Sequence, residues 1–275
     1  MGVSKTNKTY ASRYKTDVSV SQTSNVGFDA TTRKLCSGDG ADSSTSLSDD
    51  VLSVQPVNDD TTGTVRVRTQ GGSNILAVDT TNEKVLVGRS QIAANTQYAY
   101  FGASYLELST LNFLADTHYA IPFMMGNYGA TAANYAMGSS TSSSFNDTNP
   151  ATSLTISTTA MSVVRCYWYV MDNITIDAVK WWHGADAGTG EDTAAHLMAY
   201  TVDIANGSTS GDLSSGTVVA DGANITNAGY EQAYYQSMTI QSADVDAGKV
   251  VLFTFASDTV NSDYSINATV KYHIR

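Results

Sequence analysis

The side chains of this sequence that could do chemistry are few and widely spaced. Cys166 is a candidate nucleophile, but it lies in the apolar run 163–170, where a place in the core is favoured. Two histidines and a carboxylate, His183, Asp186 and His196, could approach a transition metal, although their spacing matches no standard ligand pattern. No G-x-S-x-G segment occurs. We therefore predict no catalytic residue, no metal site and no bound cofactor.

Five aromatic residues offer a different chemistry, the stacking of sugar rings on flat apolar side chains. They are the candidate residues for glycan or host contact: Trp181, Trp182, Tyr230, Tyr234 and Tyr235. The competing interpretation is that alternate members of the set fill a protein core or a subunit interface. Both interpretations stay open from the sequence.

Glycan cleavage is a further alternative, and it needs two carboxylates set across the scissile bond. None of the four glutamates has a recognisable acid/base context: Glu83, Glu107, Glu191 and Glu231. Turn aspartates such as Asp244 and Asp246 could bind calcium, but turns use aspartate for their own hydrogen bonds. We expect a chain without enzymatic activity.

Charge and composition exclude several classes of partner. The 275 residues include 15 Lys plus Arg against 26 Asp plus Glu, a net charge of −11, so nucleic acid is not an expected partner. No apolar run approaches the roughly 20 residues of a membrane span, so we expect no membrane insertion. The 2 cysteines are far apart, which excludes a disulfide framework or a zinc module.

Residues 1–61 are poor in large apolar side chains and carry polar runs such as 43–46. Such a segment buries too little surface to offset the entropy of ordering it. Its first part is basic up to Asp17, and its second part is acidic. We predict an extended arm that gains order by binding neighbouring subunits or another protein.

Residues 62–150 predict a β stem followed by a connecting region. Val65 and Val67 alternate with arginines, and short apolar runs continue after Gly71 and Gly72. One copy of the stem, around residues 62–100, offers too little apolar surface to stand alone. We therefore predict a homotrimer in which three copies of the stem intertwine.

The connecting region is less regular than the stem. Three residues spaced three apart, Tyr105, Leu108 and Leu111, are compatible with a helix over 104–114. A serine-rich loop is predicted at 138–144.

Residues 151–275 predict a β-sandwich or jelly-roll head, because strand-like runs recur with turns between them. The runs are 154–156, 163–170, 174–182, 196–204, 232–240, 250–255 and 266–274. In the last run, apolar and polar residues alternate, so one face is buried and one is wet. The predicted fold is all-β: an extended N-terminal arm, an intertwined β stem and a C-terminal sandwich.

Several segments resemble a known class of protein. NILAVDTTNEKVLVG followed by QYAYFGA is similar to segments of structural proteins of marine tailed bacteriophages, especially phages that infect cyanobacteria. WYVMDNITIDAVKWWHG and IQSADVDAGKVVLFTFAS resemble the β-sandwich heads of the same kind of protein. The similar stretches cover about two thirds of the chain and contain no catalytic signature.

The resemblance implies a virion surface protein that is assembled in the cytoplasm of a bacterial host. A capsid decoration or fibre protein is favoured, with the arm bound to the major capsid protein or another virion protein and the head facing outward. The alternative is a tail fibre or receptor-binding protein whose head contacts host surface glycans. The polar arm favours decoration, since a tail fibre normally devotes a compact domain to its socket.

Overall fold

The computed structural model describes residues 18–20, 29–37, 41–126, 150–151, 154–155, 163–203 and 212–275. The regular elements among them are strands, apart from one short 3₁₀ helix, so the all-β prediction is confirmed. The chain forms two compact units, residues 1–94 and 95–275. The basic residues before Asp17 and the serine-rich loop at 138–144 lie outside the described residues.

In place of the predicted extended arm, the described part of residues 1–61 forms an antiparallel sheet of four strands. They are β1 (Val18–Val20), β2 (Arg33–Ser37), β3 (Asp42–Leu47) and β4 (Leu52–Val54). Polar strands can pair in this way because the ladder uses backbone groups, which every residue supplies. None of the described residues from 29 to 61 is buried, so this sheet has no apolar core of its own.

The stem sequence forms a second four-stranded antiparallel sheet within one chain, which confirms the predicted short strands. Its strands are β5 (Val65–Arg68), β6 (Asn74–Asp79), β7 (Lys84–Val87) and β8 (Ile92–Ala93). Gly72 lies in the turn between β5 and β6 at φ +85°, a conformation that glycine adopts without strain.

One face of this second sheet is entirely aliphatic. Residues directly opposite each other in a sheet share a face, so the strand register defines its members. Four of them are 38% to 51% exposed, namely Val67, Val85, Val87 and Ile92. We call this surface the aliphatic face, and its residues are Val65, Val67, Leu76, Val78, Val85, Val87 and Ile92.

The second unit contains the longest strands of the chain. They are β9 (Thr96–Glu107), β10 (Tyr119–Ile121), β11 (Leu154–Thr155), β12 (Trp168–Tyr169), β13 (Ile174–Asp186), β14 (Asp192–Val202), β15 (Asp212–Asp221), β16 (Ile225–Thr226), β17 (Gln232–Ser237), β18 (Thr239–Ile240), β19 (Asp244–Val245), β20 (Lys249–Ser257) and β21 (Asp263–Ile274). They form two antiparallel sheets, in the orders β10-β20-β14-β15-β11 and β17-β13-β21-β9, with short strands added at the sides.

The two sheets of the second unit pack face to face. Phe101 and Trp181 come from one sheet, and their ring centroids lie 6.1 and 6.0 Å from that of Phe253 in the other. All three residues are fully buried and belong to one continuous apolar core. The unit is therefore a β sandwich, while a jelly-roll connection of its strands stays a prediction.

Two local predictions for this unit are wrong. The helix over 104–114 does not form: β9 continues to Glu107 because it pairs with β21, and tertiary pairing overrides the weak local pattern. The run 163–170 is not one strand, since Val164–Cys166 is a 3₁₀ helix that turns the chain into the short strand β12.

The alternation predicted for the last strand holds from Tyr264 to Val270 and then changes. His273, expected on the wet face, is only 7% exposed. The register of β13 against β21 shifts between Ile176 and Ala178, which is a β-bulge. The bulged residue is Asp177, and both its carboxylate oxygens lie 3.0 Å from Nδ1 of His273.

Candidate ligand-binding face

The alternation of β13 creates an outer face on the sheet β17-β13-β21-β9. Val179, Trp181 and His183 point into the core and are buried, whereas Lys180 and Trp182 point outward. Trp182 is 54% exposed and Trp181 is 0% exposed. The side chains of the two adjacent tryptophans therefore lie on opposite faces of the sheet.

Trp182 forms an exposed aromatic pair with Tyr235 of the neighbouring strand. The two residues lie directly opposite each other in the register, and their ring centroids are 4.5 Å apart. The Nζ atom of Lys180 lies 5.6 Å from the centroid of the Tyr235 ring. Hydrogen bonds with Lys180 and then Ser237 lower the pKa of Tyr235. Neighbouring side chains thus hold this ring in position while it remains exposed.

The exposed face continues across β21 to β9. The register assigns two further tyrosines to it, Tyr98 and Tyr100, which are 52% and 46% exposed. Polar side chains of β21 lie between these two tyrosines and the Trp182–Tyr235 pair. We call this surface the aromatic face, and its residues are Tyr98, Tyr100, Lys180, Trp182, Tyr235, Asn267, Thr269 and Lys271.

Gly102 lies in the same rows and lets the loop after β10 reach the aromatic face. A Cβ atom at this position would lie 1.9 Å from Sδ of Met125, so the thioether fills the space that a side chain would need. The Gly102 amide donates to Pro122 O at 3.0 Å, which fixes the loop to β9. Met125 is 50% exposed and adds a flexible apolar group to the edge of the face.

Only two of the five predicted contact residues, Trp182 and Tyr235, lie on the aromatic face. Trp181 is a core residue, and its indole N–H donates to Oε1 of Gln236 at 3.0 Å. Its burial agrees with the competing interpretation that alternate members of the set fill the core. The sequence signal that the prediction missed is the alternation of Tyr98 and Tyr100 in QYAYFG, which has the period of a strand.

Of the other two predicted residues, Tyr230 lies in the turn before β17, and Tyr234 lies in the first half of that strand. The Tyr234 hydroxyl accepts from the Ala228 amide at 2.7 Å and donates to Oε1 of Gln232 at 2.7 Å. It therefore fastens the turn to the strand. Tyr230 is 73% exposed but lies outside the paired rows of the sheet.

The three candidate metal ligands do not come together. His183 points into the core and Asp186 points to the opposite side of β13, where it is exposed. Within the described ranges, no group of three His, Cys, Asp or Glu side chains could hold a metal ion. His183 is enclosed by aromatic rings, and its burial lowers its pKa to about 4. The rings around it belong to Trp181, Tyr234, Phe255 and Tyr264.

His196 lies in a second buried histidine cluster, beside His118. The two ring centroids are 4.8 Å apart, and Nδ1 of His118 lies 3.1 Å from the hydroxyl oxygen of Thr254. Burial, reinforced by the neighbouring His196, holds the pKa of His118 well below its usual value. On its other side, Nε2 of His196 lies 3.2 Å from Oδ1 of Asp221, so this cluster borders a carboxylate.

Cys166 and the turn aspartates have structural surroundings. Burial raises the pKa of the Cys166 thiol to about 12, so at neutral pH it is protonated and a poor nucleophile. The guanidinium group of Arg275 forms ion pairs with both aspartates: Nη1 lies 3.2 Å from Oδ2 of Asp244, and Nη2 lies 3.1 Å from Oδ1 of Asp246. A protein cation thus already pairs with both carboxylates of this turn.

No protein family model matches the chain, and no curated protein matches it significantly. Across the described residues, no helix has the length and apolar character needed to cross a membrane.

Proposed function

We propose that this chain is a non-enzymatic structural protein of a bacteriophage virion, displayed on the particle surface as a homotrimer. The observation that carries the proposal is the aliphatic face. Its four exposed members are about half exposed, so covering them stabilises by about 1 kcal/mol each, or about 12 kcal/mol over three copies. Assembly of three copies takes two association steps at about 4–15 kcal/mol each, and the gain lies within the resulting range of about 8–30 kcal/mol.

In a trimer, the three copies of the chain could bury their aliphatic faces against one another. The face contains no polar or charged member, and a uniform aliphatic surface complements another of its kind without leaving a buried group unpaired. The strands pair within one chain, so the copies would meet through side chains. The resemblance to fibre-type proteins favours three copies over two.

The N-terminal region is proposed as the anchor, and the sandwich as the outward head. The described part of residues 29–61 has no buried residue, so binding to the major capsid protein or another virion protein would give this sheet the cover that it lacks. The resemblance to marine phage proteins favours a capsid decoration or fibre protein.

Immunogold labelling of intact particles tests this placement. The antibody is raised against residues 151–275, which are outward in the proposed arrangement. Gold spread over the phage head supports a decoration protein. Gold confined to the tail rejects that placement and supports a tail fibre, and unlabelled particles reject the virion proposal.

A second candidate function is receptor binding by a tail fibre, and the aromatic face favours it. Four exposed rings interleaved with lysine, asparagine and threonine offer both stacking and hydrogen bonding to a host glycan. Saturable binding of the purified chain to host cells, lost in Trp182→Ala, would support this function. The control is Tyr230→Ala, which removes an even more exposed ring, 73% against 54% for Trp182, outside the face.

A further inference from the structure

A cleft opens at the end of the sandwich where β9 begins and β21 ends. Its volume is about 220 Å³, and it lies between the two sheets rather than on the outer aromatic face. Its lining includes Gln97, Trp168, Tyr169, Met171, Asp172 and Tyr272.

Two aromatic rings form a rigid floor for the cleft. The Trp168 ring is stacked parallel to Phe123, with centroids 6.3 Å apart, and lies 4.8 Å from the Tyr272 ring. The Tyr272 hydroxyl donates to Oε1 of Gln97 at 2.8 Å. Contacts on several sides therefore fix both rings before any ligand arrives, which reduces the entropy lost on binding.

Large apolar side chains at the rim remain in water. Tyr169 is 57% exposed and Met171 is 80% exposed, while Val170 between them is buried. The backbone here is fixed, because the Val170 amide donates to Lys249 O at 2.9 Å and Val170 O accepts from the Gly248 amide at 2.8 Å. Exposed apolar groups on a fixed backbone beside a cavity are typical of a ligand site.

Two polar groups at the cleft determine the chemistry of its ligand. Gln97 supplies an amide and Asp172 a carboxylate, and no lining residue carries a positive charge. A ligand with hydroxyl groups can donate to the carboxylate and exchange hydrogen bonds with the amide. An anionic ligand would be repelled by Asp172.

We propose that this cleft binds one neutral sugar residue, such as the terminal unit of a glycan. The apolar face of the ring would lie on Tyr272 beside the edge of Trp168, which is only 8% exposed, and Tyr169 at the rim would pack against the sugar. Its hydroxyl groups would bond to Gln97 and Asp172. A volume of about 220 Å³ suits a monosaccharide rather than a drug-sized ligand, whose sites measure roughly 300–1,000 Å³. The site shares no residue with the aliphatic or the aromatic face.

Aromatic rings beside a carboxylate also suit a quaternary ammonium group, but the ring geometry favours a sugar. An ammonium group is held best when rings surround it. The Trp168 and Tyr272 rings lie in contact with their centroids 4.8 Å apart, so nothing fits between them, whereas a sugar needs only the open surface of the half-buried Tyr272 ring.

Saturation-transfer NMR on the full chain tests the proposal, with glucose, galactose, mannose, N-acetylglucosamine and tetramethylammonium as probes. We expect saturable binding of at least one sugar, with a Kd of about 1–10 mM for a ligand of this size. Asp172→Asn and Tyr169→Ala should each weaken it by about tenfold, the effect of losing one good contact. Both side chains are exposed, so the variants should unfold at the wild-type temperature.

Trp182→Ala is the matched control, because it removes an exposed ring from the aromatic face. Sugar binding that survives in this variant and is weakened in Asp172→Asn supports the cleft. Binding lost in Trp182→Ala but unchanged in the cleft variants overturns the proposal and supports the aromatic face instead. Binding of tetramethylammonium alone, or of no probe, also overturns it, and none of these results bears on trimer formation.

Discussion

Protonation of His183 is expected to destabilise the sandwich at acidic pH. The side chain is 2% exposed and lies among aromatic rings, and its Nδ1 atom has no hydrogen-bond partner among the described residues. A neutral imidazole tolerates this environment, whereas an imidazolium ion would have lost its hydration without compensation.

The size and sign of the effect follow from the two pKa values. Burial lowers the pKa of His183 from 6.5 to about 4 in the folded state, so between these pH values the unfolded chain binds more protons. Stability is therefore complete above about pH 6.5 and falls as the pH decreases. At pH 4 the loss from this group reaches about 3 kcal/mol.

Urea unfolding at pH 7, 6, 5 and 4, followed by tryptophan fluorescence, measures this loss. The three tryptophans, Trp168, Trp181 and Trp182, all belong to the second unit, so the signal reports on the sandwich. The comparison is with His183→Phe, which keeps a ring in the site, and with His183→Leu as a second non-titrating variant.

Between pH 7 and pH 4, the wild-type chain should lose about 3 kcal/mol more than either variant. His118 and the carboxylates titrate in all three proteins, so their contributions cancel in the difference. Equal losses in the wild type and both variants would refute the reasoning.

Three further predictions use other contacts. In urea unfolding, Trp181→Ala should cost about 3–5 kcal/mol and Trp182→Ala less than about 1 kcal/mol, and similar losses would show that the assignment of core and surface is wrong. Gly102→Val should push Met125 aside and destabilise by about 1–3 kcal/mol in the same assay, whereas an unchanged midpoint would contradict the close contact. Cys166 should react with iodoacetamide only after unfolding, as followed by mass spectrometry, and labelling of the native thiol would contradict its burial.

Local alternation in the sequence predicted much of the sandwich. A strand exposes every second residue, so the apolar and polar positions of 266–274 and the contrast between Trp181 and Trp182 follow from the period alone. The same rule would have placed Tyr98 and Tyr100 on the exposed side of their strand. Which strands lie side by side, and hence which rings share a face, depends on tertiary pairing.

Features that depend on contacts between distant residues could not be predicted from local patterns. The helix proposed over 104–114 failed because pairing with β21, more than 150 residues later, decides the conformation of β9. The cleft joins Gln97 to Tyr272 through a hydrogen bond across 175 positions of the chain. The bulge at Asp177, which buries His273, leaves no local signal in a strand that otherwise alternates regularly.

Association through the aliphatic face is the central claim, and a matched set of variants separates it from general effects on the sheet. Val67→Thr with Val87→Thr places two hydroxyl groups on the face while keeping the shape and strand preference of the side chains. Ile75→Thr is the control, because Ile75 is 50% exposed in the same sheet but is skipped in the β5–β6 register that defines the aliphatic face.

Sedimentation equilibrium of the full chain over a range of concentrations is the most direct test. We predict a mass of about 88 kDa for the wild type and for Ile75→Thr, which is three times the chain mass of 29.2 kDa. The Val67→Thr and Val87→Thr double variant should shift towards 29.2 kDa. A wild-type chain that remains at 29.2 kDa at every concentration would contradict the account.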